Sequence, residues 1–541
     1  MMPIRWMRIF CVVFVLCAGA VLARAADEAA AESAPGRTMA RQATQDVQGW
    51  TTVDHSRLDA LKKPFASGKQ VTEACVSCHS EAASQFHQTI HWTWLGTEPD
   101  AEKRMGKAGD SLNNFCISAN NMQDKSCNAC HPSWNGQGTE GEVNCLVCHG
   151  RQQINWTEAF DDLNAFSGSD DPEEQQIVAD IQADIQQAVQ SVILPARENC
   201  GSCHFYGGGG DGVKHGDLDS SIAQPPKSLD VHMGVDGKNF QCTRCHTTVR
   251  HNVAGRIYSR PAAADRKSLI EDDLTAKITC ESCHSATPHK AGSKANDHTD
   301  RVACQSCHIP LFARQNPTKT WWDWSKAGTL QDGKKYNEKG EFGKEVYMTI
   351  KGEMKWEKDV KPEYFWFNGS MNTLTIKDFI DPEKIVAVSA PVGSREDKNA
   401  RIFPFKIHGG KQPYDTVQKV LLAPMLSGKD GYWETLDWQN AIEKGMQALN
   451  ASYSGSFDFV ETTYAFPITH MVAPRDNVVR CAECHTGQGS RLASLTGFYM
   501  PGRDRTGWID TLGWLAVLGA LAGVALHGLG RAFSRKGGKE S

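Results

Sequence analysis

The chain is short of apolar material for its length. Only 40% of its 541 residues are hydrophobic, and its mean hydropathy is -0.44. Several domains can be fitted into that length, but side chains alone are a thin supply for so much core. Long apolar runs occur only near the two ends. A basic excess is missing as well. The formal charge is -5, and residues 1–25 carry Arg5, Arg8 and Arg24 with no acid, so their removal makes the rest more negative. That balance gives no reason to expect nucleic acid as a partner.

Cysteine is the residue in surplus, with nineteen copies. Sixteen fall in eight Cys-x-x-Cys-His motifs: Cys75/Cys78/His79, Cys127/Cys130/His131, Cys145/Cys148/His149, Cys200/Cys203/His204, Cys242/Cys245/His246, Cys280/Cys283/His284, Cys304/Cys307/His308 and Cys481/Cys484/His485. The spacing is that of covalent c-type haem attachment. Zinc sites need motifs in complementary pairs, and a disulfide framework does not explain a histidine after every second cysteine. Two thioethers pin the porphyrin edge, and the adjacent histidine reaches the iron. Eight c-type haems are therefore expected. Their faces supply the core material that the side chains lack.

Residues 1–25 read as a signal peptide, with a basic start, an apolar run over 9–22 and Ala23-Arg24-Ala25 as cleavage site. Residues 26–70 read as a flexible leader. Residues 71–310 carry seven motifs and form the haem domain, expected as short helices and loops. A clear helix is predicted inside it, capped by Asp171, opened by Pro172 and striped by Ile177, Ile181, Ile185 and Val189. Residues 311–475 hold no motif and are rich in aromatics. They are expected as a mixed α/β layer over the haems, with a strand over 345–356, a possible bulge at Gly352, and a helix over 437–449. Residues 476–505 carry the eighth motif. Leu512–Leu529 contains one ionisable residue, His527, and is followed by Arg531, Arg535, Lys536 and Lys539. A transmembrane anchor over 508–531 and a basic cytoplasmic tail over 532–541 follow; a buried soluble helix is the alternative. The fold class expected is mainly α with much irregular loop: a multihaem cytochrome c core, a haem-poor α/β layer and a C-terminal membrane helix. Export and this anchor place the chain on the periplasmic side of a bacterial inner membrane.

Eleven histidines lie outside the motifs. His87, His91, His232, His251, His289, His298 and His470 are the candidate distal ligands. His215 and His408 stand in reserve, and His55, in the leader, is set aside. Among cysteines, only Cys116 remains once the motifs and the signal are removed. An unpaired thiol in an oxidising compartment points to function, with a buried inert cysteine as the plain alternative. A second unusual stretch is Phe205-Tyr-Gly-Gly-Gly-Gly-Asp211-Gly-Val-Lys214-His215-Gly-Asp217. Its glycines allow close backbone approach. Lys214 can ligate iron as a neutral amine, with Asp211 able to orient it from behind.

The eight motifs, Asn113-Asn-Phe-Cys-Ile117 and the Phe205–Asp217 stretch together resemble the octahaem tetrathionate reductase family. The resemblance implies reduction of a small inorganic substrate: tetrathionate, nitrite or hydroxylamine. It implies that His131 and Lys214 flank the catalytic haem, that Asn113, Cys116 and Asp211 line its pocket, and that seven other haems are bis-histidine conductors. His215 joins Lys214 as a candidate proton donor. A structural calcium is carried as a further expected cofactor. The electron source expected is a quinol-oxidising membrane cytochrome or a small periplasmic donor. A pure electron conduit and a hydroxylamine oxidoreductase are the rival readings.

Overall fold

The computed structural model describes residues 34–44, 53–96, 105–115, 117–118, 128–134, 138, 141–152, 154–255 and 278–534. The signal segment, Cys116 and Cys127 lie outside this set. The chain divides into two compact units, 1–478 and 479–541.

In the first unit the haem-motif region consists of short helices and loops, as its composition predicts. α1 (Pro35–Ala43) falls in the stretch expected to be a flexible leader. It is held by the Gly36 N–H donating to the carbonyl of Pro288 at 3.1 Å, beside the sixth motif. α2 (Gly68–Val76) leads into the first motif, with Ser67 capping the Gln70 N–H. α3 (Trp156–Phe166) and α4 (Pro172–Gln190) pack together. The Asp171 carboxylate accepts from the Glu173 N–H at 2.8 Å, so the predicted cap and start of α4 hold. Ile185 and Val189 are buried against Leu61, Phe65, Trp134 and Phe160, whereas Ile177 is 41% exposed. The apolar stripe thus faces a side-chain core at its C-terminal half only. α5 (Arg197–His204) ends in the fourth motif.

The region over 311–475 is a sheet, and this corrects the expectation of a mainly α chain. Nine strands join it: β1 (Thr318–Asp323), β2 (Asn337–Lys339), β3 (Glu345–Met348), β4 (Gly352–Glu357), β5 (Glu363–Phe367), β6 (Ser370–Thr373), β7 (Val386–Val392), β8 (Arg401–Asp415) and β9 (Phe457–Pro467). Their order is β2-β3-β4-β1-β8-β9-β7-β6, with β5 paired to the start of β8. β8 and β9 run antiparallel from Phe405↔Pro467 to Asp415↔Phe457. α6 (Trp438–Ala448), the helix expected over 437–449, is capped by Asp437 and buries Ala441, Ile442 and Met446 in the main core beside the sheet. The segment over 345–356 is two strands rather than one. Gly352, at φ +81, opens β4 with its backbone against the carbonyl of Asp323, where a Cβ would lie 2.1 Å away. It is a turn residue and not a bulge. The alternation on either side of it belongs to two legs of a hairpin.

In the second unit, the eighth motif is followed by α7 (Gly507–Ser534), the one helix among the described residues long and apolar enough to cross a membrane. His485 Nδ1 lies 2.8 Å from the carbonyl of Pro501 in the connection between them.

Candidate functional site

Five motif histidines lie opposite a second histidine at one repeated distance. Ring centres are 6.4 Å apart for His79 and His55, 6.1 Å for His204 and His91, 6.0 Å for His284 and His232, 6.3 Å for His246 and His470, and 6.1 Å for His308 and His289. Two imidazoles on opposite sides of one metal, each with a nitrogen–metal bond of about 2 Å, have ring centres about 6 Å apart. The spacing fits an iron between the two rings of each pair and leaves no room for direct stacking. Hydrogen bonds at the far nitrogens agree. Nδ1 of His246 lies 2.8 Å from the Ala254 carbonyl, that of His284 3.2 Å from the Gly36 carbonyl, and that of His289 3.1 Å from Asn296 Oδ1. His298 Nδ1 lies 2.8 Å from the carbonyl of Lys294. Each such bond fixes the tautomer and leaves Nε2 for a metal.

His55 therefore joins the set from which its place in the leader had excluded it. It follows a cap at Asp54, whose carboxylate accepts from the Ser56 N–H. Chain proximity also misleads about partners. His91, close to the first motif in sequence, faces the fourth, and His232 faces the sixth. His251 acts electrostatically on His149, and His87 packs on Trp92 with ring centres 4.4 Å apart.

The motif cysteines are placed unequally, and this departs from a uniform set of enclosed haem anchors. Several meet across motifs, sulfur to sulfur: Cys75 with Cys145, Cys130 with Cys203, Cys200 with Cys242, and Cys280 with Cys304. Haem edges from different motifs would therefore lie close together. Cys78, Cys245, Cys307 and Cys481 are exposed, and the other described motif cysteines, Cys283 among them, are half-buried. Exposure does not mark these five as anchors, so spacing and the neighbouring histidine carry that assignment. Cys78 precedes His79, Cys283 precedes His284 and Cys307 precedes His308, and each of those histidines belongs to a ring pair.

The second motif is different. His131 is 3% exposed. Its Nε2 lies 2.7 Å from the carbonyl of Trp92 and its Nδ1 lies 3.1 Å from Ser133 Oγ. The nitrogen that an axial bond would use is engaged with backbone. An iron at His131 requires the ring to exchange Trp92 for metal.

The two unusual stretches meet on the sheet. Asn114 donates from Nδ2 to the carbonyl of His408 at 2.7 Å, and its Oδ1 lies 3.1 Å from His408 Nδ1. The Phe115 carbonyl accepts from Trp324 Nε1 at 3.0 Å. Asn113 is half-buried, with Oδ1 accepting from the Phe115 N–H. The glycine loop docks on the same strands. Gly212 has φ +69, a conformation costly for any other residue, and a Cβ there would lie 2.7 Å from the carbonyl of Pro317. Its own carbonyl accepts from Thr318 Oγ1 at 2.6 Å and from the Lys319 N–H at 3.3 Å. Lys406, fully buried in β8, donates to the carbonyls of Val213 and Lys214 at 2.8 and 3.1 Å and to Thr318 Oγ1 at 2.6 Å.

Aromatic rings join the two stretches. Phe115 and Phe466 have centres 5.1 Å apart, Lys214 Nζ lies 5.3 Å from the Phe466 ring centre, and the His215 ring is 5.3 Å from it. Burial pulls the Lys214 amine down to about 7, and the Lys107 charge adds to this. The same Lys107 acts on Cys130, which places Lys214 and the second motif in one electrostatic neighbourhood. Lys406 is also drawn to about 7 by burial. His215 and His408 fall well below the usual imidazole range, burial being the main cause for both. Two amines near neutrality and two neutral imidazoles make a site that can hold or release protons.

Asp211 is not directed at Lys214. Its carboxylate accepts from the N–H and Oγ of Ser220 at 2.8 and 2.7 Å and from Asn316 Nδ2 at 3.3 Å. These bonds hold the loop in shape. Lys406, Phe115 and Phe466 escaped the sequence reading, and His408 stood only in reserve. Their signal was present: Lys406 and His408 alternate in a segment otherwise as apolar as a central strand, where a polar side chain needs a reason. Among the described residues no group of three or more His, Cys, Asp or Glu side chains is placed to hold a metal ion, so the expected calcium gains no support from them.

Comparison with known proteins agrees with this description. A family model described as "Cytochrome c bacterial" matches residues 319–488. The crystal structure of an octaheme cytochrome c from Shewanella oneidensis superposes with a TM-score of 0.69. It is 36% identical and covers 84% of this chain and 99% of its own. An uncharacterized protein of Archaeoglobus fulgidus is 19% identical over 250 residues, 38% of this chain and 82% of that protein. Covalently bound c-type haem is the cofactor these matches support, and redox chemistry is its use.

Proposed function

Because the chain belongs to the octahaem c-type cytochromes of the tetrathionate reductase family, we propose that it is an exported reductase anchored by α7. In this reading it carries eight haems and reduces tetrathionate, nitrite or hydroxylamine at the Cys127/Cys130 motif. The observation that carries it is the meeting of residues 113–115 and the Lys214 loop on β8. Wiring alone needs only axial pairs and gives no reason for that meeting.

A haem held at Cys127 and Cys130 would supply electrons to the substrate. Lys214 would be the residue that meets it as a neutral amine and gives way to substrate, and its value near 7 makes the neutral form accessible. Protonated, the same amine donates to the leaving sulfur or nitrogen fragment and offsets its charge. Lys406 holds the loop backbone in register while Lys214 moves. Phe115 and Phe466 keep water from the amine. His215 lies within the same shell as a further proton carrier. As the resemblance implies, Asn113 would line the pocket, and Cys116, outside the described residues, would attack the central S–S bond of tetrathionate as thiolate, forming a cysteinyl S–S bond and releasing thiosulfate, with two electrons from the haems then cleaving that bond to release the second thiosulfate. Electrons enter from a quinol-oxidising membrane partner or a small periplasmic donor.

The test is direct. Reduced protein is mixed with tetrathionate, nitrite or hydroxylamine, and haem absorbance is followed. Reoxidation by at least one acceptor is expected, and its absence with all three leaves an electron conduit. In Lys214→Ala, one haem should change its optical and paramagnetic signature while the others do not. Unchanged spectra would remove Lys214 from the iron.

A further inference from the structure

Asp217 lies three positions after Lys214 and takes no part in the chemistry above. It is 1% exposed. Its Oδ2 accepts from the backbone N–H groups of Thr469 and His470 at 2.8 and 2.9 Å and lies 3.2 Å from His470 Nδ1. Its Oδ1 is buried with no hydrogen-bond partner. His470 is the ring facing His246, so this carboxylate sits on the far nitrogen of a paired ring. The Nδ1 partners of His246, His284 and His289 are neutral carbonyl or amide oxygens. Asp230 approaches His232 Nδ1 only to 3.9 Å. Asp217 is also the acid that acts on both His215 and Lys406 in the pocket.

We propose that Asp217 lowers the reduction potential of the haem at Cys242/Cys245. The inference rests on reading His246 and His470 as an axial pair. A negative charge on the far nitrogen makes the ring a stronger donor and favours the more positive, oxidised iron.

Asp217→Asn keeps the shape and an oxygen for the two backbone N–H groups but removes the charge. In full-length haem-loaded protein, spectroelectrochemical titration should show one haem midpoint moving upward and the others unmoved. Asp211→Asn, on the same loop but bonded to Ser220, should move none. Thr469→Val removes the hydroxyl 3.1 Å from His470 Nδ1, strengthens the carboxylate's hold and should move the same midpoint downward. Midpoints unmoved in both Asp217→Asn and Thr469→Val, with His470→Ala still altering a low-spin signal, overturn the proposal and leave the pairing intact. An unaltered signal in His470→Ala overturns both.

Discussion

At the scale of single residues, neighbouring acids of one loop behave in opposite ways. Asp217 is held below the usual carboxylate range: burial alone would raise it, but the His470 hydrogen bond and charge outweigh that. Asp219 faces other acids instead. Burial, with the charges of Asp211 and Asp217 adding to it, raises Asp219 to about 6, against 3.8 in the unfolded chain, despite the Ser221 N–H at 2.8 Å. An acid whose folded value is raised holds its proton longer in the native state. Its contribution is most favourable below pH 3.8 and is lost as pH rises through 6. About two units correspond to roughly 3 kcal/mol at neutral pH. Asp219→Asn should therefore raise the melting temperature at pH 7 and leave it nearly unchanged at pH 4, as read by circular dichroism at the two values. The sequence marked this loop as unusual from its glycines and its Asp-x-x-Lys-His pattern. It could not separate Asp211, Asp217 and Asp219, whose roles follow from what faces them: Ser220, His470 and the other two acids.

At the scale of elements, the glycine loop and β8 form one functional unit. The loop has no regular structure of its own and takes its shape from Thr318, Lys319 and Lys406. Gly212→Ala places a Cβ against the Pro317 carbonyl at a left-handed φ, a strain of about 1–3 kcal/mol borne by the loop. Reductase activity should fall at least tenfold in Gly212→Ala. The signals of the bis-histidine haems should remain, as measured by assay and absorbance on one sample. α4 and α6 were legible because capping and helical periodicity are local. The nine-stranded sheet was not. Most of β8 is buried on both faces, so it lacks the alternation that signals a strand, and Gly352 hides a hairpin inside one apparent strand. The aromatic clusters that suggested a covering layer are the interior of that sheet.

At the scale of the whole molecule, the haem motifs were readable from spacing alone, and the histidine pairs were not. A motif fixes its proximal ligand by chain adjacency, whereas the distal ligand arrives through the fold. Hence His55 was set aside although it faces His79, and nothing in the sequence ties His91 to His204. Spacing was also blind to burial, which separates the exposed Cys78, Cys245, Cys307 and Cys481 from the half-buried sulfurs of the other described motif cysteines. The long apolar helix α7 was legible, since length and composition mark it as a candidate span. Ending the chain after Arg505 keeps the eighth motif and removes α7. The shortened protein should fractionate as soluble and keep its activity with a reduced dye as donor. It should lose activity with membranes supplying quinol, as ultracentrifugation and the two assays would show.

The pairing of His246 with His470 also bears on how the molecule is made. One ligand of that pair leaves the ribosome long before the other, with the entire sheet between them. On that pairing, an iron attached at Cys242 and Cys245 would wait for its sixth bond until β9 has been synthesised and paired. Contacts of such long sequence separation form slowly. A chain with haem already attached there would be half-ligated until the sheet closes, and that closing, more than the attachment, would take the iron out of reach of adventitious ligands.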